Sequence, residues 1–186
     1  DGLNYNWLDE AWSGAFTMNA LNLESVHFAS SNGTDLTVGL ADDATWEGAS
    51  SKAENGTDFI ANVPTEEVFC APHRERVNGI VYGTKPYVYN GQLIEGFSIR
   101  FAGGKAVEVH AEKNEELLKT MISMDEGAAY LGECALVPFD SPINQSGLLF
   151  YNTLFDENAC CHLALGMGFA DTIRDFQSKT LEECRA

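Results

Sequence analysis

Three short stretches set carboxylates beside apolar sequence, and one of them runs on to an imidazole. Glu66 and Glu67 lie in Pro64-Thr-Glu-Glu-Val-Phe69, Glu133 in Gly132-Glu-Cys-Ala-Leu-Val-Pro138, and Asp156-Glu157 stand just before His162. A carboxylate held against a buried strand is costly unless a cation or hydrogen bonds compensate it, so this placement points to metal binding or acid–base catalysis. Several carboxylates with one imidazole suit a pair of zinc, cobalt or manganese ions about 3.5–4 Å apart, sharing a bridging carboxylate and a water. A plainer reading stands beside it: Arg74 and Arg76 follow closely enough to pair with Glu66 and Glu67 as structural ions. In an extended segment the two glutamates point to opposite faces, so a single site receives at most one of them.

The remaining chemistry-bearing residues are weaker. His27, inside Val26-His-Phe28, reads as a sheet-face or core histidine, His110 lies on the polar side of an alternating strand, and His73 lines a polar pocket at most. The cysteines are Cys70, Cys134, Cys160, Cys161 and Cys184, an odd set with no CxxC. They read as reduced thiols of a cytoplasmic protein, packed as small hydrophobes. Adjacent Cys160 and Cys161 chelate one tetrahedral ion poorly, which weakens a zinc knuckle with His162. The sequence has no phosphate-binding loop, no dinucleotide fingerprint, no HExxH and no GxSxG.

The elements that must position these groups follow from periodicity. Residues from about Trp7 to Leu21 repeat apolar positions every three to four residues, as a helix does. Val26-His-Phe28 and Leu36 to Leu40 flank Ser31-Asn-Gly-Thr-Asp35 and predict a hairpin. Ala41 to Thr57 reads as a long surface loop, and Phe59 to Asn62 and Thr65 to Cys70 as extended segments. From Gly79 to Ala111 the alternation predicts an antiparallel meander with an Asn90-Gly91 turn and one wet face. Glu115 to Met124 reads as a helix, and Asp125 as the cap of a second short helix through Leu131. Ala135 to Val137 and His162 to Leu165 predict buried strands, while Gly147 to Phe155 is open between helix and loop. Together they predict an α+β fold, a large mixed or antiparallel sheet with flanking helices, over residues 1–186 as a single domain.

The 186 residues suit one domain with a sizeable core, and no apolar run approaches the ~20 residues of a membrane-spanning helix. Twenty-eight acidic against eleven basic residues leave −17, a field that repels phosphate backbones and anionic lipid. The expectation is no nucleic acid and no membrane partner. The start lacks a basic, then apolar leader, and with no initiator Met the chain reads as an excised piece.

Five blocks in order carry a resemblance that spacing alone does not supply: Asn62 to Phe69, Ala71-Pro-His-Arg-Glu-Arg-Val-Asn-Gly79, Gly132 to Pro138, Asp140-Ser-Pro-Ile143 and Phe150 to Ala159 followed by His162. Together they resemble the thermophilic-type metal-dependent aminopeptidase family, over essentially the whole chain. The resemblance implies most of the C-terminal, metal-binding catalytic domain of a two-domain metallopeptidase. It implies two divalent metal ions, a peptide substrate with a free N-terminus, and a homodimer. Carried over by position, the metal ligands fall on Glu67, on Glu133 in a bridging role and on His162, with Glu157 as the next carboxylate; Glu66 is the choice for proton transfer. A tyrosine of the family falls on Phe169, and a His-x-Asp pair falls beyond Ala186. Two other readings remain: a non-catalytic binding or assembly module on the same scaffold, and a metal-free glycoside hydrolase with two carboxylates about 5–9.5 Å apart.

Overall fold

A computed structural model describes residues 7–48, 50–60, 65–180 and 182–185, with side chains from residue 14 onward except at 185. Helix α1 spans Trp7–Leu21, as its period predicts, although the apolar face expected around Leu8 and Trp12 lies outside the described side chains. It leads into β1 (Ser25–Ala29) and β2 (Asp35–Leu40), the predicted hairpin. Along β2 the alternation buries Leu36 and Val38, and Leu40 joins them after a bulge against the neighbouring strand.

The loop expected over 41–57 is only partly a loop. Ser50–Lys52 forms β3 and pairs antiparallel with β4 (Asp58–Ile60) around a turn closed by Asn55 and Gly56. Polar composition marked a surface position there and concealed a short wet hairpin. The adjoining stretch to residue 64, including part of the extended segment expected from Phe59, lies outside the described residues.

The rest of the chain supplies β5 (Val68–Cys70), β6 (Pro72–Tyr82), β7 (Tyr87–Tyr89), β8 (Gln92–Ile94), β9 (Ser98–Ala102) and β10 (Lys105–His110). Helix α2 (Glu115–Ile122) follows, then β11 (Leu131–Leu136), the short helices α3 (Pro142–Ser146) and α4 (Thr153–Glu157), and β12 (His162–Leu165). The turn between β7 and β8 has Asn90 and Gly91 both at positive φ, 48° and 73°, the twist that a two-residue hairpin needs. The second helix expected from Asp125 does not form. Asp125 Oδ1 accepts from the Gly127 and Ala128 N–H groups in a tight turn, and the chain passes directly into β11.

Five strands form one sheet in the order β1-β2-β6-β9-β10, three form a second in the order β12-β11-β5, and β3-β4 and β7-β8 are separate ribbons. Every strand pair among the described residues is antiparallel. The fold is thus α+β as expected, with two sheets in place of one large one. Val77, Ile99, Phe101, Leu118, Cys70 and Cys134 join the β2 leucines in a common core. Cys70 and Cys134 lie opposite each other, fully buried as thiols, which is the small-hydrophobe role expected of them.

Candidate metal centre

The three-stranded sheet decides which side chains meet. In an antiparallel pair, residues directly opposite share a face. Phe69 of β5 and His162 of β12 both stand opposite Ala135 of β11, so Phe69, Ala135 and His162 form a row across one face. Glu133 lies two residues from Ala135, and Glu67 two residues from Phe69, so both belong to that same face. The row is centred on an alanine, whose methyl leaves room above the middle strand for longer side chains to converge.

They do converge. His162 Nε2 lies 3.0 Å from Glu67 Oε2 and 3.3 Å from Glu133 Oε1, with each of these side chains only 13% exposed. Glu157, at the end of α4, joins Glu67 and His162, with one donor atom from each lying within 4.8 Å of the others. The ring is oriented from behind: Nδ1 lies 3.1 Å from the carbonyl oxygen of Cys160, so in the neutral tautomer Nδ1–H donates there and the Nε2 lone pair faces the carboxylates. Although close in distance, neither Nε2 nor Glu67 Oε2 has an aligned hydrogen-bond partner. Buried polar atoms left in this way fit a cation between them.

The electrostatics agree. Burial works against a charged imidazole, but hydrogen-bond reach to Glu133 and Glu67 outweighs it and raises His162 to about 11. Burial raises the Glu157 carboxyl to about 7; His162 opposes the shift, and Glu67 and Glu133 add to it. Among the described residues the His162 imidazolium is the cation that relieves the crowded carboxylates, a place that divalent ions would take. Oxygen and imidazole donors together suit zinc, cobalt or manganese.

Glu66 is not in this group. It is 2% exposed and points, with Val68, to the opposite face, lining a cavity of about 410 Å³ with Gly14, Thr17 and Met18 of α1 and Leu136 to Pro138. The ion pairs expected between the two glutamates and Arg74 or Arg76 do not form: Arg74 lies 3.8 Å from Glu126, and Arg76 pairs with Asp42. His27 and His110 are surface residues beside Asp35 and Glu115, and His73 accepts from the Glu75 N–H.

Two supports were invisible as isolated residues. Asn158 is fully buried, accepts from the Glu66 N–H at 2.8 Å, donates to Leu154 and takes the Ser141 hydroxyl on its carbonyl, so it ties the start of β5 to α4. Its place directly after Asp156-Glu157 was the available signal. The other is a pair of glycines. A Cβ on Gly168 would stand 2.5 Å from the Gly132 oxygen, and one on Gly132 would stand 2.6 Å from the Gly166 oxygen, so the loop after β12 lies directly on the strand carrying Glu133.

A buried group of three glutamates and a histidine on an antiparallel sheet is a donor set that fits divalent metal ions. The family profile described as thermophilic metalloprotease (M29) matches residues 9–186. Aminopeptidase AmpS of Bacillus subtilis (strain 168) is 48% identical over 166 residues, which is 89% of this chain and 40% of that protein. Aminopeptidase T of Thermus aquaticus is 51% identical over 156 residues, 84% of this chain and 38% of that one. The solved structure of wild-type AmpT from Thermus thermophilus superposes with a TM-score of 0.86 at 46% identity, covering 90% of this chain and 42% of that chain. This chain belongs to the M29 thermophilic metalloprotease family. The family implies use of divalent metal, and the chain spans about two fifths of the length of the curated relatives it matches.

Proposed function

We propose that these residues are most of the C-terminal catalytic domain of a two-metal aminopeptidase, which removes N-terminal residues from peptides. The observation that carries this reading is the meeting of Glu67, Glu133 and Glu157 around His162 Nε2, with two of the donor atoms lacking an aligned hydrogen bond. Glu67, Glu133, Glu157 and His162 would hold the ions, with Glu133 in the shared position, and the His-x-Asp pair that the resemblance implies would complete the set. Zinc, cobalt or manganese, when bound, would supply Lewis acidity toward water and the scissile carbonyl. The carboxylates around the site attract the substrate's protonated α-amine. Cys160 fixes the His162 ring through its carbonyl. The reaction also needs a group that takes a proton and returns it to the leaving amine. Glu66, expected in that role, faces the α1 cavity, and in this reading it supports the site from behind the sheet. Homodimeric assembly and a cytoplasmic place belong to the same proposal and rest on the resemblance.

The test uses the complete protein, loaded with zinc or cobalt, on one peptide with a free and then with a blocked N-terminus. Cleavage of the free form alone, abolished by a chelator and restored by metal, is the expected result. Equal cleavage of both forms, or indifference to the chelator, would reject the reading. A complete protein that binds no metal would favour the non-catalytic module.

A further inference from the structure

The geometry points to Phe69 and Phe169 as the wall that receives the side chain of the substrate's N-terminal residue and selects large apolar ones. This inference rests on the aminopeptidase reading and adds the substrate preference of the same site.

Four observations carry it. Phe69 lies in the row with Ala135 and His162, two strand spacings from the histidine, or roughly 10 Å between backbones. That is about the reach from a substrate's amine to the far end of a leucine or phenylalanine side chain and the wall beside it. Phe169 packs edge-on against Phe69, with ring centroids 6.0 Å apart at 62°, and stays 59% exposed, so an aromatic surface remains open. The loop that carries Phe169 is pressed onto Gly132, next to Glu133, so its position is coupled to the metal centre. Finally, carboxylates next to an apolar wall complement one ligand chemistry: an ammonium with a hydrocarbon attached. The edge of Phe169 carries no hydroxyl, which keeps the wall dry.

Beyond Phe69 the row continues to Glu47, which exchanges backbone hydrogen bonds with it, and Asp171 lies close enough to raise the Glu47 carboxyl further after burial. A competing preference for lysine or arginine would come from these two acids, and the test separates it.

Two measurements on the complete, metal-loaded protein decide. The first compares kcat/KM for peptides that begin with Leu, Phe, Ala or Arg. The second measures calorimetric binding of the amines that lack the peptide carbonyl: isopentylamine, phenethylamine, ethylamine and agmatine. Expected are a preference of about tenfold or more for Leu and Phe over Ala, the same order among the amines, collapse of both ratios in Phe169→Ala, and their recovery in Phe169→Leu. Unchanged ratios in Phe169→Ala, in a variant that still cleaves and binds, would overturn the inference and leave the aminopeptidase reading intact. A preference for Arg and agmatine would assign the side chain to Glu47 and Asp171 and overturn it likewise. No cleavage of any free N-terminus would remove the aminopeptidase reading, and the inference with it.

Discussion

His162 is held by two opposing demands. Its neighbouring carboxylates keep it protonated to about 11, whereas ligation needs the Nε2 lone pair. Metal binding near neutral pH therefore expels a proton, and affinity rises with pH because fewer protons compete for the ring. Zinc titration of the complete protein in buffers of different ionisation enthalpy reads this directly; binding heats independent of the buffer would contradict it. Glu133→Gln keeps the shape and removes the charge of the proposed bridging ligand. It should weaken zinc by more than the roughly 10- to 100-fold that loss of an outer partner costs. These candidates were legible because each stands in a distinctive block. Their mutual distance was not, since Glu67, Glu133 and His162 meet through a register that no local pattern encodes.

At the scale of elements, the loop after β12 and the helix α2 behave differently under perturbation. Gly168→Ala places a methyl 2.5 Å from the Gly132 oxygen, a backbone atom unable to rotate away. The loop must lift, at about 1–3 kcal/mol by the usual cost of overpacking. The expected result is lower thermal stability together with weaker zinc binding, read by calorimetry on the same sample; a drop in stability with metal affinity intact would uncouple the loop from Glu133. Glu115 anchors the start of α2. Lys119 and the Ala111 N–H, with some help from His110, draw its carboxyl down from 4.5 to about 2. A depressed carboxyl contributes its stability above the ordinary value and loses it as pH falls through the folded one. Protection factors of amides around the first turn of α2, taken against intrinsic exchange at the same pH, should therefore fall between about pH 4.5 and 2, and Glu115→Gln should remove that pH dependence. The amphipathic pattern made α2 legible. Asp125 misled, because the same side-chain acceptor closes either a helix or a turn, and Gly127 together with the pull of β11 decides for the turn.

The whole molecule carries −17, with 28 acidic residues against 11 basic ones. Such an excess repels itself in the compact state, and salt screens it over about 8–10 Å at physiological ionic strength. Raising salt from ~10 to ~150 mM should raise Tm, by roughly 2–4 °C for each 1 kcal/mol of repulsion relieved. A fall in Tm would mean that the surface ion pairs, such as Lys113 with Glu95 and Lys179 with Asp43, outweigh the net repulsion. Among the described residues no helix is long and apolar enough to cross a membrane.

The sequence by itself determined the α1 helix, the β1–β2 and β7–β8 hairpins and the donor types of the candidate site, because period, turn residues and side-chain chemistry are local properties. Tertiary structure alone decided that the sheet divides in two, that Glu67 turns toward His162 while Glu66 turns toward α1, and that Gly132 and Gly168 seat one segment on another. Strand register and close backbone contact join residues more than a hundred positions apart, such as Ala44 and Ile173, and a chain read in order holds no record of which of its distant parts come to lie side by side.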